Sequence, residues 1–207
     1  MKRGIFVIGL LLASKWVFAE ARPFIGGNIG ALGGNAELET SIIGGGQLGI
    51  SGDYLGASVN FLYYSKENKV KTLSKGSFSM TPIMFNAFGK IPLKKADGTE
   101  VAAIRLGGGV SYILVSHEVD SSLTNIFKSV GLTYKEEVDS GLGYQVNGGV
   151  DFWLNNHISI GADIIYLFFK PSAKATLTSI ATGASLSVTS DIKLDTVIGL
   201  STIKYHF

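Results

Sequence analysis

The 207-residue chain contains no cysteine. That excludes disulfides, thiol chemistry and a lipid-modified N-terminal cysteine. Charge is scarce, at 16% of residues, and the mean hydropathy of +0.31 is high for a soluble protein. Yet no stretch after the N-terminus reaches the roughly 18 uncharged apolar residues of a membrane helix. A membrane protein without such a run has one spanning solution left, a closed β-barrel that pairs every backbone group. Histidine occurs three times, at 117, 157 and 206. None of these has a partner at metal-ligand spacing, and no Ser/His/acid order is recognisable. No catalytic residue, metal or cofactor is therefore expected, and the chain reads as a non-enzyme.

What is present is alternation. Residues 142–168 read LGYQVNGGVDFWLNNHISIGADIIYLF. Leu142, Tyr144, Val146, Gly148, Val150, Phe152 and Leu154 share one face, and Gly143, Gln145, Asn147, Gly149 and Asp151 share the other. Beyond Asn155-Asn156, Ile158, Ile160, Ala162, Ile164, Tyr166 and Phe168 form an apolar face opposite Ser159, Gly161 and Asp163. Successive side chains on a strand point to opposite faces, so this is a pair of strands. The Asn pair suits a two-residue hairpin turn. The polar face is too rich in glycine and too weakly charged for a water-facing surface. Lipid is the natural solvent for the apolar face, with the small polar face lining a narrow barrel.

The N-terminus supplies an address. Lys2 and Arg3 precede an apolar core from Gly4 to Leu12, and Val17-Phe18-Ala19 offers small residues before a cleavage point, with Ala21 as a second cut site. An N-terminal anchor helix is the weaker rival, because the apolar run is short and interrupted. The expected organisation is a signal peptide over 1–19 and a barrel domain over 20–207. Cleavage removes Lys2, Arg3 and Lys15, which takes the basic residues from 18 to 15 against 16 acidic ones. The full-length net charge of +2 thus becomes about −1, and nothing supports nucleic-acid binding.

Taken in order, the expected strands are 24–32, 42–51, 54–65, 77–91, 101–116, the two strands of 142–168, and 191–207. Pro82 is awkward inside a sheet and marks an expected bulge. In the fifth strand Ala102, Ile104, Leu106, Gly108, Val110, Tyr112 and Leu114 face outward. Segments 33–40, 66–76, 117–140 and 171–190 are long, the last with Thr and Val content that could extend strands, and the other connections are short or modest. That is the asymmetry of extracellular loops and periplasmic turns, with both termini in the periplasm. On this topology Tyr63, Tyr112, Tyr144 and Tyr166 lie outward near the extracellular end. Phe152, Tyr205 and Phe207 lie near the periplasmic end, and the two sets form interfacial girdles. The fold class is all-β, an eight-stranded antiparallel up-and-down transmembrane barrel.

Alternation also turns Gln47, Asn60, Asn86, Arg105, Gln145, Asn147, Asp151, Asp163 and Lys204 inward. Arg105, Asp151, Asp163 and Lys204 fall in the periplasmic third. Buried charges must be paired, so an internal ion-pair network is expected there, led by Arg105 with Asp151. It is either structural filling of a narrow interior or a gate for small solutes or protons. Ser121–Gly131 breaks the period of two. Leu123, Ile126, Phe127 and Val130 recur at helical spacing, with Ser121 or Ser122 as cap and Gly131 as terminator. A short amphipathic helix is therefore expected in the third extracellular loop. Gly44, Gly46 and Gly49 match G-x-G-x-x-G, but a dinucleotide site needs a helix next, and a strand follows here.

The chain ends Ile203-Lys204-Tyr205-His206-Phe207. A terminal Phe with alternating apolar residues resembles the assembly signal of outer-membrane barrels. Asp191-Ile192-Lys193-Leu194-Asp195, Gly199 and Tyr205-His206-Phe207 resemble the last strand of the OmpW family, and Thr81-Pro82-Ile83 is similar to its Pro-rich fourth strand. Thr196 and Val197 depart from that family's usual Pro and Trp. OmpX-like and opacity-protein-like barrels are the alternatives. The OmpW resemblance implies a narrow pore for small hydrophobic molecules, with no ligand residue transferable. The expected location is the bacterial outer membrane. The expected function is a small channel or structural envelope protein; the alternatives are a surface-binding protein acting through its loops and, less favoured, a lipid A-modifying enzyme. Expected partners are outer-membrane lipids, the barrel-assembly machinery acting on the C-terminal strand, and a small hydrophobic solute or host surface ligand. The chain itself is expected to be a monomer.

Overall fold

The structure, a computed structural model, describes residues 21–34, 40–67 and 76–207. The expected signal segment 1–19 and parts of segments 33–40 and 66–76 lie outside the described residues. The elements in chain order are β1 (Arg22–Gly34), β2 (Ser41–Ser51), β3 (Leu55–Glu67), β4 (Gly76–Lys94), β5 (Glu100–Val119), α1 (Ser121–Ser129), β6 (Leu132–Val138), β7 (Gly141–Trp153), β8 (Ile158–Phe168), β9 (Ser172–Ser179), β10 (Ser185–Asp191) and β11 (Thr196–His206). Eight of the strands close a barrel in the order β1, β11, β8, β7, β5, β4, β3, β2. Every pair is antiparallel, and β1 is where the ring closes, with Phe24 opposite Gly49 on one side and His206 on the other. Closure removes every free strand edge from the barrel, which a lipid environment demands. No helix among the described residues is long and apolar enough to cross a membrane.

The outward faces follow the alternation. Tyr63, Tyr112, Tyr144, Tyr166, Phe152, Tyr205 and Phe207 are all exposed on the outer wall, which is the lipid-facing side of such a barrel. Tyr205 stacks on His157 and meets Phe207 edge-on at 5.2 Å. Ala102 departs from its neighbours and is buried, in register between Leu93 and Phe152. Its own side chain is too small to reach past theirs.

The structure corrects three local expectations along the barrel. Pro82 carries no bulge. The β3–β4 ladder lapses beside it and resumes in the same register, and the register shift falls at Leu93/Lys94. The β7–β8 connection spans Leu154 to His157 rather than two residues. The Asn155 carboxamide oxygen accepts the amides of His157 and Ile158 at 2.8 and 2.9 Å, so a side chain closes the turn. The last barrel strand begins at Thr196 and not at Asp191. Ile192 and Leu194 instead cross the barrel mouth, with their amides bonded to Pro171 and Phe169 and their side chains buried. Across 171–190, whose Thr and Val content allowed extended strands, β9 and β10 form a hairpin.

That hairpin belongs to a second, three-stranded sheet ordered β10, β9, β6, which stands beyond the barrel end that carries the long connections. Register sets Tyr134, Leu177 and Leu186 in one row, and hydroxyl pairs Thr176–Ser187 and Thr178–Ser185 rung the other face. The sheet is therefore amphipathic, and its lower end enters the barrel core through Val138 and Ala173. Helix α1 precedes it. Its cap is Asp120, whose carboxylate accepts the Ser122 amide at 2.7 Å, not Ser121 or Ser122. Asp wins because its carboxylate reaches the free amide from one residue further out. Gly131 follows the helix with φ +77°, the left-handed conformation that suits glycine. Phe127 stacks on Tyr134 and Leu123 is half-buried, while Ile126 and Val130 remain exposed.

Candidate functional site

The barrel interior has three layers, built by inward residues at successive heights. The layer nearest the extracellular mouth is apolar. Leu32, Ile43, Leu62, Met80, Met84, Ile113, Ile165, Leu167 and Ile198 are buried there with Tyr64 and Phe78. The uniformly small polar inner face expected from residues 142–168 is thus corrected. β8 itself turns Ile165 and Leu167 inward near the mouth, and β3 is apolar on both faces there, as Phe61-Leu62-Tyr63-Tyr64 shows.

The middle layer is a belt of amides. Gln47 donates to the Asn28 Oδ1 at 3.0 Å. Asn147 and Gln145 both donate to the Asn86 Oδ1, at 2.7 and 3.1 Å. Asn60 stands opposite Gln47 in register, and Thr202 opposite Asn28. Gln145 and Asn147, named from the sequence with the charged residues, belong to this belt instead.

The third layer is charged. Arg105 Nε lies 2.7 Å from Asp151 Oδ2, and its Nη2 lies 2.9 Å from Asp163 Oδ1. Lys204 Nζ reaches Asp151 Oδ1 at 2.7 Å and is buried with it. The structure thus brings Arg105, Asp151, Asp163 and Lys204 into one cluster of two cations and two anions. Four such charges tolerate burial only because each has a close opposite partner. Glycine makes the room: a Cβ at Gly149 would lie 2.0 Å from Asp163 Oδ1, and one at Gly161 2.4 Å from Asp151 Oδ1.

Beneath these lies a second ion pair that sequence reasoning missed. Lys90 Nζ meets Glu100 at 3.0 Å, and Trp153 Nε1 donates to Glu100 at 2.8 Å. His206 Nε2 and Ser159 Oγ are 2.9 Å apart. Phe24 and Phe88 offer ring faces to Lys204 and Arg105 at 5.7 and 5.6 Å. Lys90 and His206 carry the same inward parity as Asn86 and Lys204, so alternation held the signal. Between the two ion-pair tiers remains a cavity of about 10 Å³, hardly room for one water. A polar vestibule of about 820 Å³ opens below it, walled by Arg22, Lys94, Lys95 and Asn156. A hollow of the same volume on the outer wall, over Ala57, Ala87 and Gly108, faces lipid and is no part of this path.

The His117 side chain is buried near the mouth. Its Nε2 is 3.4 Å from Glu136 Oε2, which also accepts the Tyr134 hydroxyl at 3.2 Å. This arrangement ties β5 to β6. Among the described residues no group of three or more acidic or histidine side chains is placed to hold a metal.

A closed eight-stranded barrel with an apolar outer band and a layered interior is an outer-membrane protein by architecture. The OmpW family matches over residues 102–207, and the chain belongs to that family. No curated protein matches the sequence. Among solved structures, OprG from Pseudomonas aeruginosa superposes with a TM-score of 0.66 at 15% identity, over 90% of this chain and 95% of that one. Neisserial surface protein A gives 0.58 at 10%, over 90% and 97%. AlkL in DMPC bilayers gives 0.54 at 13%, over 90% of each. At these identities the likeness shows the fold, and membership of the OmpW family places the chain in the bacterial outer membrane.

Proposed function

We propose that this protein is a non-enzymatic channel for small apolar solutes. The carrying observation is the apolar inner wall of the extracellular half. Burial of an apolar solute against it is favourable by about 25 cal/mol per Å². Met80 and Met84, unbranched and adaptable, are the side chains best able to move aside. The charged layer below acts as the gate: it is tightly paired, leaves almost no free volume and bars ions at rest. Solute passage requires Arg105 and Lys204 to shift together. The test compares uptake of a labelled small cyclic hydrocarbon and of a sugar by intact cells with and without the protein. The expected result is several-fold faster hydrocarbon uptake with unchanged sugar uptake. Equal hydrocarbon rates would remove the reading.

One observation favours a second reading, surface binding. All of β10 is exposed, and it forms an outer edge of its sheet, the geometry to which an extended partner strand adds. Excision of 180–191 abolishes adhesion to a host surface on this reading and leaves hydrocarbon uptake intact.

A further inference from the structure

From the amide belt we infer a hydrogen-bonding subsite for the single uncharged polar group of an otherwise apolar solute. The inference rests on the channel reading and narrows its substrate class. Five belt atoms are buried without a hydrogen-bond partner among the described residues: Asn28 Nδ2, Asn86 Nδ2, Asn60 Oδ1, Gln145 Oε1 and Thr202 Oγ1. Every one of these residues is more than nine-tenths buried. Buried polar groups in folded proteins are nearly always paired, and an orphan is costly. Apolar residues would fill the same positions at less cost, so five orphans sharing one layer point to a ligand.

The orphans define the ligand chemistry. Two are amide donors, two are carbonyl acceptors and one is a hydroxyl that serves either way. Such a set matches a hydroxyl, carbonyl or amide and favours no ion. The charged layer beneath, two cations against two anions, adds no net charge to attract one. The neighbours define the rest of the molecule. On three strands the next inward residue toward the mouth is buried and apolar: Leu62 above Asn60, Met84 above Asn86 and Leu200 above Thr202. A polar head at the belt thus leaves its apolar body in the upper layer. β5 faces the belt with glycine at 107, where a Cβ would sit 2.9 Å from Asn147 Oδ1 and 2.7 Å from the Phe88 Cβ. Any larger residue there would push Asn147 off Asn86.

The experiment uses ring-matched probes: cyclohexanol, methylcyclohexane and cyclohexanecarboxylate. Binding to the purified full-length barrel is measured by saturation-transfer NMR for wild type, Asn60→Leu and Asn86→Leu, each checked for a heat-dependent gel shift. Wild type is expected to bind cyclohexanol about tenfold more tightly than either other probe, the worth of one well-made hydrogen bond. Each substitution is expected to abolish that preference while methylcyclohexane binding holds. Asn60 makes no described side-chain hydrogen bond, so Asn60→Leu decides the matter even where Asn86→Leu fails to fold. An unchanged preference in Asn60→Leu, or equal wild-type binding of all three probes, overturns the subsite. Belt-dependent binding without faster cyclohexanol uptake by cells carrying the protein upholds the subsite and overturns the channel reading.

Discussion

Asp151 is the residue on which the charged layer turns, because it alone accepts from both cations, Arg105 and Lys204. Truncating it leaves two buried positive charges against one carboxylate. Breaking a buried pair from one side costs about 3–5 kcal/mol. Asp151→Ala should therefore lower the temperature at which the folded gel band is lost far more than Asp163→Ala, which leaves Asp151 with both of its partners. A smaller drop for Asp151→Ala than for Asp163→Ala would show that Arg105, not Asp151, is the hub. Gly149→Ala tests the same layer from the backbone side. Its Cβ would meet Asp163 Oδ1 and also the Ala162 carbonyl at 2.7 Å. Displacement of Asp163 should raise the ionic conductance of single barrels above that of wild type.

At the scale of elements, caps and turns carry separable contributions. Asp120 closes the first turn of α1. Asp120→Ala should cost about 1 kcal/mol of local helix stability, read as faster amide exchange at Ser122 and Thr124 with barrel amides unchanged. The periplasmic turn between β4 and β5 is held by Asp97, which accepts the Thr99 amide at 2.9 Å. Hydrogen bonds from the Thr99 amide and hydroxyl hold its carboxyl below the ordinary range. A carboxylate lowered in the folded state stabilises the turn above its unfolded value, and that contribution is lost as pH falls through the lowered value. Exchange at Thr99 should accelerate over that acidic range in wild type and show no such step in Asp97→Asn.

The molecule as a whole is one closed ring, and closure depends on β1 and β11, the first and last strands. Protein extracted from outer-membrane fractions should run faster on a gel before boiling than after it. Removal of Thr202–Phe207 should abolish that shift, because β1 would lose its register partners from Phe24 to Asn28. A shift that survives the truncation would mean that closure is made elsewhere.

Much of this was legible in one dimension. Alternation has a period of two and is fixed by the strand itself, so it assigns each residue to lipid or lumen without a partner strand. Hence Arg105, Asp151, Asp163 and Lys204 were inward by parity, the girdle tyrosines outward, and the break at 121–131 helical. Height is another matter. Which inward residues share a layer depends on the register of eight strands around a closed ring, and no single strand encodes that. Gln145 and Asn147 were therefore grouped with charges that lie a layer below them. Lys90 and Glu100 escaped notice as a pair, and the apolar wall above the belt was not seen. The loop sheet was hidden for the same reason: β6 and β9 are separated by two barrel strands, and their short alternations gain meaning only once they pair. The sequence by itself determined a lipid-facing barrel with charges inside. Tertiary structure alone decided that the interior is sorted into apolar, amide and ionic layers, because sorting requires contacts between strands distant in the chain.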